Sequence, residues 1–146
     1  MTARSQPQDR FVWLFADEAE TRLRRIGEHV LVLEGGASAD VVAAILRDAH
    51  SLKGAAAVVG LNEVSAVAHR LEDALEPYRD GAEPPPAALI DSLLHVVDGL
   101  QALLLPIRRG EDTASVTAGL LEHLGSEPAP AAPAPEPPSQ AATVAA

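Results

Sequence analysis

Residues 41–75 read VVAAILRDAHSLKGAAAVVGLNEVSAVAHRLEDAL, and the spacing of their apolar side chains decides the fold. Val41, Ile45, Ala49, Leu52, Ala56 and Val59 recur every three or four residues, the period of one helix face. Gly60 interrupts that stripe, and Val64, Val67, Ala68, Leu71 and Leu75 begin another. A glycine between two such stripes ends the first helix and lets the chain turn back, so the spacing predicts a helical hairpin around Gly60 and Leu61.

The same period extends outward on both sides. Upstream, Val12, Phe15, Ala19, Leu23, Ile26, Val30 and Leu33 make a first helix from Asp9 to Leu33, closed by Gly35-Gly36, and Ser38 or Asp40 can cap the next helix. Downstream, the pattern lapses around Pro77 to Gly81, and Pro84-Pro85-Pro86 supplies a rigid start for a fourth helix carrying Ile90, Leu93, Val97, Leu100 and Leu104. Pro106 is expected to end or kink that helix. A short fifth segment, Thr113 to Leu124, is amphipathic through Val116, Leu120, Leu121 and Leu124.

The predicted fold is therefore all-α: an antiparallel four-helix bundle with an additional short C-terminal helix. Residues 1–8 form an arm, 9–125 the domain, and 126–146, SEPAPAAPAPEPPSQAATVAA, a disordered Pro/Ala-rich linker. A linker in that place is expected of the first piece of a longer protein. Phe11, Val12, Trp13, Leu14 and Phe15 are apolar around most of the first helix, more than one core-facing stripe can bury. That surplus is expected to cover the bundle end against Leu120 and Leu124 or to meet a partner.

Composition narrows the function. Apolar residues make up 47% of the chain and aromatics 3%, so the core is built from Ala, Val, Leu and Ile. A net charge of −10 repels a phosphate backbone and an anionic membrane surface, which argues against nucleic acid as partner. There is no cysteine, which removes disulfide and thiolate chemistry. Charged Asp9, Arg10 and Asp17 around the first apolar run fit neither a signal peptide nor membrane insertion, and the chain reads as cytoplasmic.

Of the five histidines, His29, His95 and His123 occupy polar or boundary helix positions without a partner pattern. His50 stands apart, about 100° round the helix from the core residue Ala49, on a solvent-side stripe with Arg47, Lys53, Gly54 and Ala57. Glycine inside a helix costs about 1 kcal/mol relative to alanine, so Gly54 calls for a reason, and close approach by something large supplies one. The hairpin register places His50 level with Glu72, on a third-helix stripe of Ser65, His69, Glu72 and Glu76. A carboxylate there can accept the imidazole Nδ1 proton and leave Nε2 free as a nucleophile, and Lys53 can neutralise phosphoryl oxygens. A turn around Gly36 brings Thr21, Arg22 and Arg25 of the first helix near the same site, and these residues with Arg47, Gly54 and Ala57 are expected to form the surface on which a partner docks.

The stretch His50-Ser51-Leu52-Lys53-Gly54, then Gly60-Leu61, then His69-Arg70-Leu71-Glu72, closely resembles the phosphorylation-site signature of histidine phosphotransfer domains, especially the N-terminal domain of CheA-type chemotaxis kinases. The resemblance covers about residues 10 to 110, including the aromatic and acidic first helix FVWLFADEAETRL. It implies that His50 is the phospho-acceptor, that Glu72 bonds its ring, that Lys53 and Gly54 neighbour the phosphoryl group, and that His69 joins the network. The implied partners are a CheY-like response-regulator receiver domain and an ATP-binding kinase domain in cis or trans. Ala55 to Ala57 depart from the family, which often has further glycines and small polar residues there.

No Gly-rich phosphate loop or magnesium-type carboxylate cluster is visible, so ATP and magnesium belong to a separate kinase domain and this chain is not an enzyme by itself. Two other readings stand beside this one. A non-catalytic helical interaction or dimerisation module would leave His50, Lys53 and Glu72 as a solvated face. A metal-binding bundle would need Glu-x-x-His pairs, and the chain has only the reversed His69-x-x-Glu72.

Overall fold

A computed structural model describes residues 7–125. The proposed linker, 126–146, and most of the proposed arm, 1–6, lie outside the described residues. Five helices follow in order: α1 (Pro7–Leu33), α2 (Ala39–Val58), α3 (Asn62–Leu75), α4 (Ala87–Arg108) and α5 (Ala114–Gly125), with a 3₁₀ turn at Glu76–Tyr78 after α3. No strand occurs among the described residues.

α2 begins and ends for local reasons. Ser38 caps α2, its hydroxyl accepting the Val41 N–H at 3.2 Å. Between α2 and α3 the chain reverses through Gly60, whose φ of +82° is the left-handed region that a side chain would disfavour. The Leu61 N–H reaches back to the Ala56 carbonyl and the Gly60 N–H to that of Ala57, so the turn is short and the hairpin register tight.

α2 lies between α1 and α3, and α1 also packs on α4. α5 fits into the side of the bundle between α3 and α4, which touch each other little. The core is aliphatic: Leu23, Ile26, Leu33, Ile45, Leu52, Leu71, Leu75, Ile90, Leu93 and Leu100 are its largest fully buried side chains. α4 is long and apolar enough to cross a membrane by length and composition, but Ile90, Leu93, Val96, Val97, Leu100 and Leu103 spend that hydrophobicity on the core.

Three expectations are corrected. Pro106 does not end α4, which continues to Arg108. A proline that close to the end forfeits one hydrogen bond, and the final turn is tied by the Arg109 N–H to the Leu105 and Pro106 carbonyls and the Glu111 N–H to that of Pro106. In α2 the buried set is Val42, Ile45, Leu46, Ala49, Leu52 and Ala56, with Val41 and Val59 only partly buried. A helix with neighbours on both sides needs a wider apolar face than one stripe. In α5, Val116 is exposed and Thr117 is buried with Leu120 and Leu124. Thr117 tolerates burial because its hydroxyl bonds the Thr113 and Ala114 carbonyls, both at 3.0 Å.

The surplus apolar surface of α1 does not cover Leu120 and Leu124, since α5 packs on α3 and α4 rather than α1. Phe15 enters the core and Val12 packs against it, whereas Phe11, Trp13 and Leu14 stay exposed.

Candidate functional site

Mid-α2, His50 points outward: its side chain is 70% exposed, while Glu72 on α3 is 17% exposed. The His50 Nδ1 lies 3.1 Å from Glu72 Oε2. The other oxygen, Oε1, holds the Lys53 ammonium at 2.7 Å as an ion pair. One half-buried carboxylate therefore serves both the imidazole and the lysine. A carboxylate can only accept, so it selects the tautomer with the proton on Nδ1 and leaves the Nε2 lone pair facing solvent.

α3 is also fastened to α2 at this level. The Ser65 hydroxyl donates to the Lys53 carbonyl at 3.0 Å, a bond that side-chain patterning on α2 does not reveal. Of the α3 stripe Ser65, His69, Glu72 and Glu76, the first and third cross to α2. His69 instead faces Asp73 one turn along its own helix, Nε2 to Oδ1 3.6 Å, and stands outside the network that the family resemblance implies. A partner four residues away on the same helix is reached with little side-chain ordering, which favours that pairing over a reach across helices. Glu76 pairs with Arg79, whose hydrogen bond holds the Glu76 carboxyl below its ordinary value.

The residues expected at a docking surface divide in two. Arg47, Gly54 and Ala57 are exposed along α2, and a Cβ built on Gly54 would meet nothing within 4 Å. On α1, Thr21 is half-buried, Arg22 pairs with Glu18 at 3.2 Å, and Arg25 grips Asp48 of α2 through two bonds of 3.1 and 2.7 Å. That hydrogen bond, and then the Asp48 charge, raise the Arg25 guanidinium above its ordinary value. The charges of Arg22 and Arg25 are thus engaged within the bundle before any partner arrives.

The other histidines, on α1, α4 and α5, occupy surface or boundary positions, as their sequence reading has them, and two of them meet. His95 of α4 and His123 of α5 stack with ring centroids 4.2 Å apart, a pairing with no signature in either helix alone. His29 is half-buried. Among the described residues, no three His, Asp or Glu side chains gather as a metal-binding group.

Comparison with known proteins adds the family context. The model of the Hpt domain family matches residues 10–104. The chain is 34% identical over 115 residues to the chemotaxis protein CheA of Treponema pallidum, covering 75% of this chain and 14% of that protein. It is 30% identical over 105 residues to CheA of Bacillus subtilis, covering 71% and 16% respectively, so it spans about one seventh of the length of these relatives. Among solved structures it resembles the phosphorylated P1 domain of CheA3 in complex with CheY6 from R. sphaeroides, with a TM-score of 0.71 and 28% identity over 82% of this chain and 95% of that one.

Proposed function

We propose that this chain, which belongs to the Hpt domain family, carries a phosphoryl group on His50 Nε2 and passes it to an aspartate of a CheY-like receiver domain in chemotaxis-type signalling. The observation that carries the reading is the shared carboxylate: Glu72 holds His50 Nδ1 at 3.1 Å and Lys53 Nζ at 2.7 Å, beneath an imidazole left open to solvent.

In the loading step the Nε2 lone pair attacks the γ-phosphorus of ATP held by a kinase domain, in cis or in trans. The bond from that phosphorus to the bridging oxygen breaks, and ADP leaves with the electron pair. The ring becomes cationic as the new N–P bond forms, and the Glu72 carboxylate, already on the Nδ1 proton, stabilises that charge. Lys53 can lean from Glu72 toward the phosphoryl oxygens, which lie on the same side of α2. In the unloading step an aspartate oxygen of the receiver attacks phosphorus, the N–P bond breaks, and its electron pair returns to Nε2. His50, with its Nδ1 proton still on Glu72, is regenerated.

This chain supplies the acceptor and its positioning groups, while ATP and magnesium are handled by the donor domain. The balance of acidic over basic residues, 21 to 11, and the apolar face of α4 turned into the core fit a cytoplasmic carrier. The test is to incubate the chain with an ATP-charged CheA-type kinase domain and follow acid-labile phosphate. Label is expected on the wild-type chain and absent from His50→Gln with helicity retained, because an exposed side chain contributes little to packing. Full labelling of that variant would end the reading.

A further inference from the structure

Among the described residues, two side chains of α3 make polar contact with α2, and they lie on one stripe. Ser65 donates its hydroxyl to the Lys53 carbonyl at 3.0 Å. Glu72 meets His50 Nδ1 at 3.1 Å and the Lys53 ammonium at 2.7 Å. Seven residues separate Ser65 from Glu72, which is two helical turns to within about 20° and about 10 Å along the axis. Rotating α3 about its own axis therefore moves both side chains together.

That rotation matters to the site. The carboxylate stands about 6 Å from the axis of α3, so a turn of about 10° shifts it by about 1 Å. Such a shift takes the 3.1 Å contact with Nδ1 beyond hydrogen-bond range. The hairpin at Gly60 fixes the register along the axis, through the Leu61 N–H on the Ala56 carbonyl. The buried face of α3 is aliphatic, Val64, Val67, Ala68, Leu71 and Leu75, and burial of that kind has no preferred direction. A hydrogen bond has one, and the Ser65 bond ends on an α2 main-chain carbonyl that cannot swing aside.

The two ties also differ in what they survive. In the proposed cycle Lys53 leans from Glu72 toward the phosphoryl oxygens, and the ion pair between α2 and α3 opens at that moment. Ser65 holds the main chain of Lys53 rather than its ammonium, so this bond stays made while the side chain moves.

We propose that Ser65 is a positioning residue for phosphotransfer: its hydroxyl, on the Lys53 carbonyl, sets the rotation of α3 that aims Glu72 at His50 Nδ1 and keeps it there while Lys53 engages the phosphoryl group. The inference rests on the phosphotransfer reading above and deepens it, since Ser65 acts through Glu72 rather than on the reacting atoms.

The test loads the 146-residue chain with phosphoramidate, a small donor that needs no docking: Nε2 attacks its phosphorus, the P–N bond breaks and ammonia leaves with the electron pair. Alanine is a better helix former than serine, so slow loading of Ser65→Ala does not report a weakened helix. Loss of the one hydrogen bond is expected to slow loading about three- to tenfold. Ser65→Thr keeps the hydroxyl and should load within about twofold of wild type. In a Glu72→Ala background Ser65→Ala should cost nothing further, because no carboxylate remains to aim. The ring-nitrogen NMR signals of His50 in the unphosphorylated chain report where its proton sits, and they should shift in Ser65→Ala and not in Ser65→Thr. Thr117→Val, which removes a buried hydroxyl bonded within α5, is the control, expected to melt lower with loading and ring signals unchanged.

Wild-type loading or wild-type ring signals in Ser65→Ala overturn the assignment. So do an equal loss in Ser65→Thr, losses that add fully in the double variant, or the same slowing in Thr117→Val. A wild-type chain that takes no phosphate on His50 removes the phosphotransfer reading and the positioning role with it, a failure visible before any variant is made.

Discussion

The Lys53 ammonium lies 2.7 Å from Glu72 Oε1, on the carboxylate whose other oxygen meets His50. In the proposed cycle the lysine is stored against Glu72 until a phosphoryl group offers a competing anion, and the carboxylate keeps a cationic partner on one oxygen while it meets the ring through the other. A charge-assisted hydrogen bond contributes roughly 1.5–3 kcal/mol, about ten- to hundredfold in rate when it is made fully only in the transition state.

Glu72→Ala is accordingly expected to slow phosphorylation of His50 by about ten- to hundredfold while leaving the bundle folded. Glu72→Gln separates orientation from charge: its amide oxygen can still accept the Nδ1 proton but cannot balance a cationic ring, so its rate should fall between wild type and alanine. Single-turnover labelling with the kinase domain in excess reads both. Wild-type rates in the alanine variant would take Glu72 out of the mechanism.

The pairing behind that prediction was legible in the sequence because the hairpin turn is short. Gly60 and Leu61 leave little slack between α2 and α3, so a count of residues suffices to put His50 opposite Glu72, and the bond is there at 3.1 Å. Helix existence was equally legible, since the apolar period reports it directly. What lay beyond reach were choices among competing partners. Nothing in the α3 stripe says that Ser65 and Glu72 cross to α2 while His69 turns to Asp73 and Glu76 to Arg79. Nor does the period of α5 reveal that it fills the side between α3 and α4, or that His123 stacks on His95. Those contacts join elements that are distant along the chain, and their register is set by packing rather than by a turn.

One glycine is expected to govern stability without touching the site. Gly81, in the α3–α4 connection, has a φ of +71°, and a Cβ there would lie 2.5 Å from the Ala39 backbone nitrogen at the start of α2. Both the dihedral and the contact resist a side chain, and the obstacle is backbone that cannot swing aside. Gly81→Ala should therefore destabilise the domain by at least about 1–3 kcal/mol, lowering the melting temperature by several degrees, roughly 3–6 °C per kcal/mol at this size. The folded fraction should still label at His50 at the wild-type rate. An unchanged thermal midpoint would mean that the connection relaxes away from α2.

Gly54 presents the opposite case, a glycine whose replacement the fold should welcome and the partner should not. It lies in the interior of α2, exposed, with no atom within 4 Å of a would-be Cβ, so nothing within the domain requires it. Helix propensity alone predicts that alanine or glutamine there stabilises the helix by about 0.5–1 kcal/mol. The position is one turn from His50, and a receiver whose aspartate approaches Nε2 must pass close over it. Gly54→Gln is expected to melt slightly higher than wild type and to accept phosphate from phosphoramidate normally, yet to transfer it to the receiver at least a hundredfold more slowly. Gly54→Ala should keep the gain in stability and lose far less transfer, because one methyl group occupies little of the gap. A stability gain coupled to a loss of transfer cannot come from a damaged fold, which makes this pair the sharpest measure of where the partner sits. If the glutamine variant transfers as fast as wild type, the receiver does not cross α2 at Gly54, whatever the fate of His50.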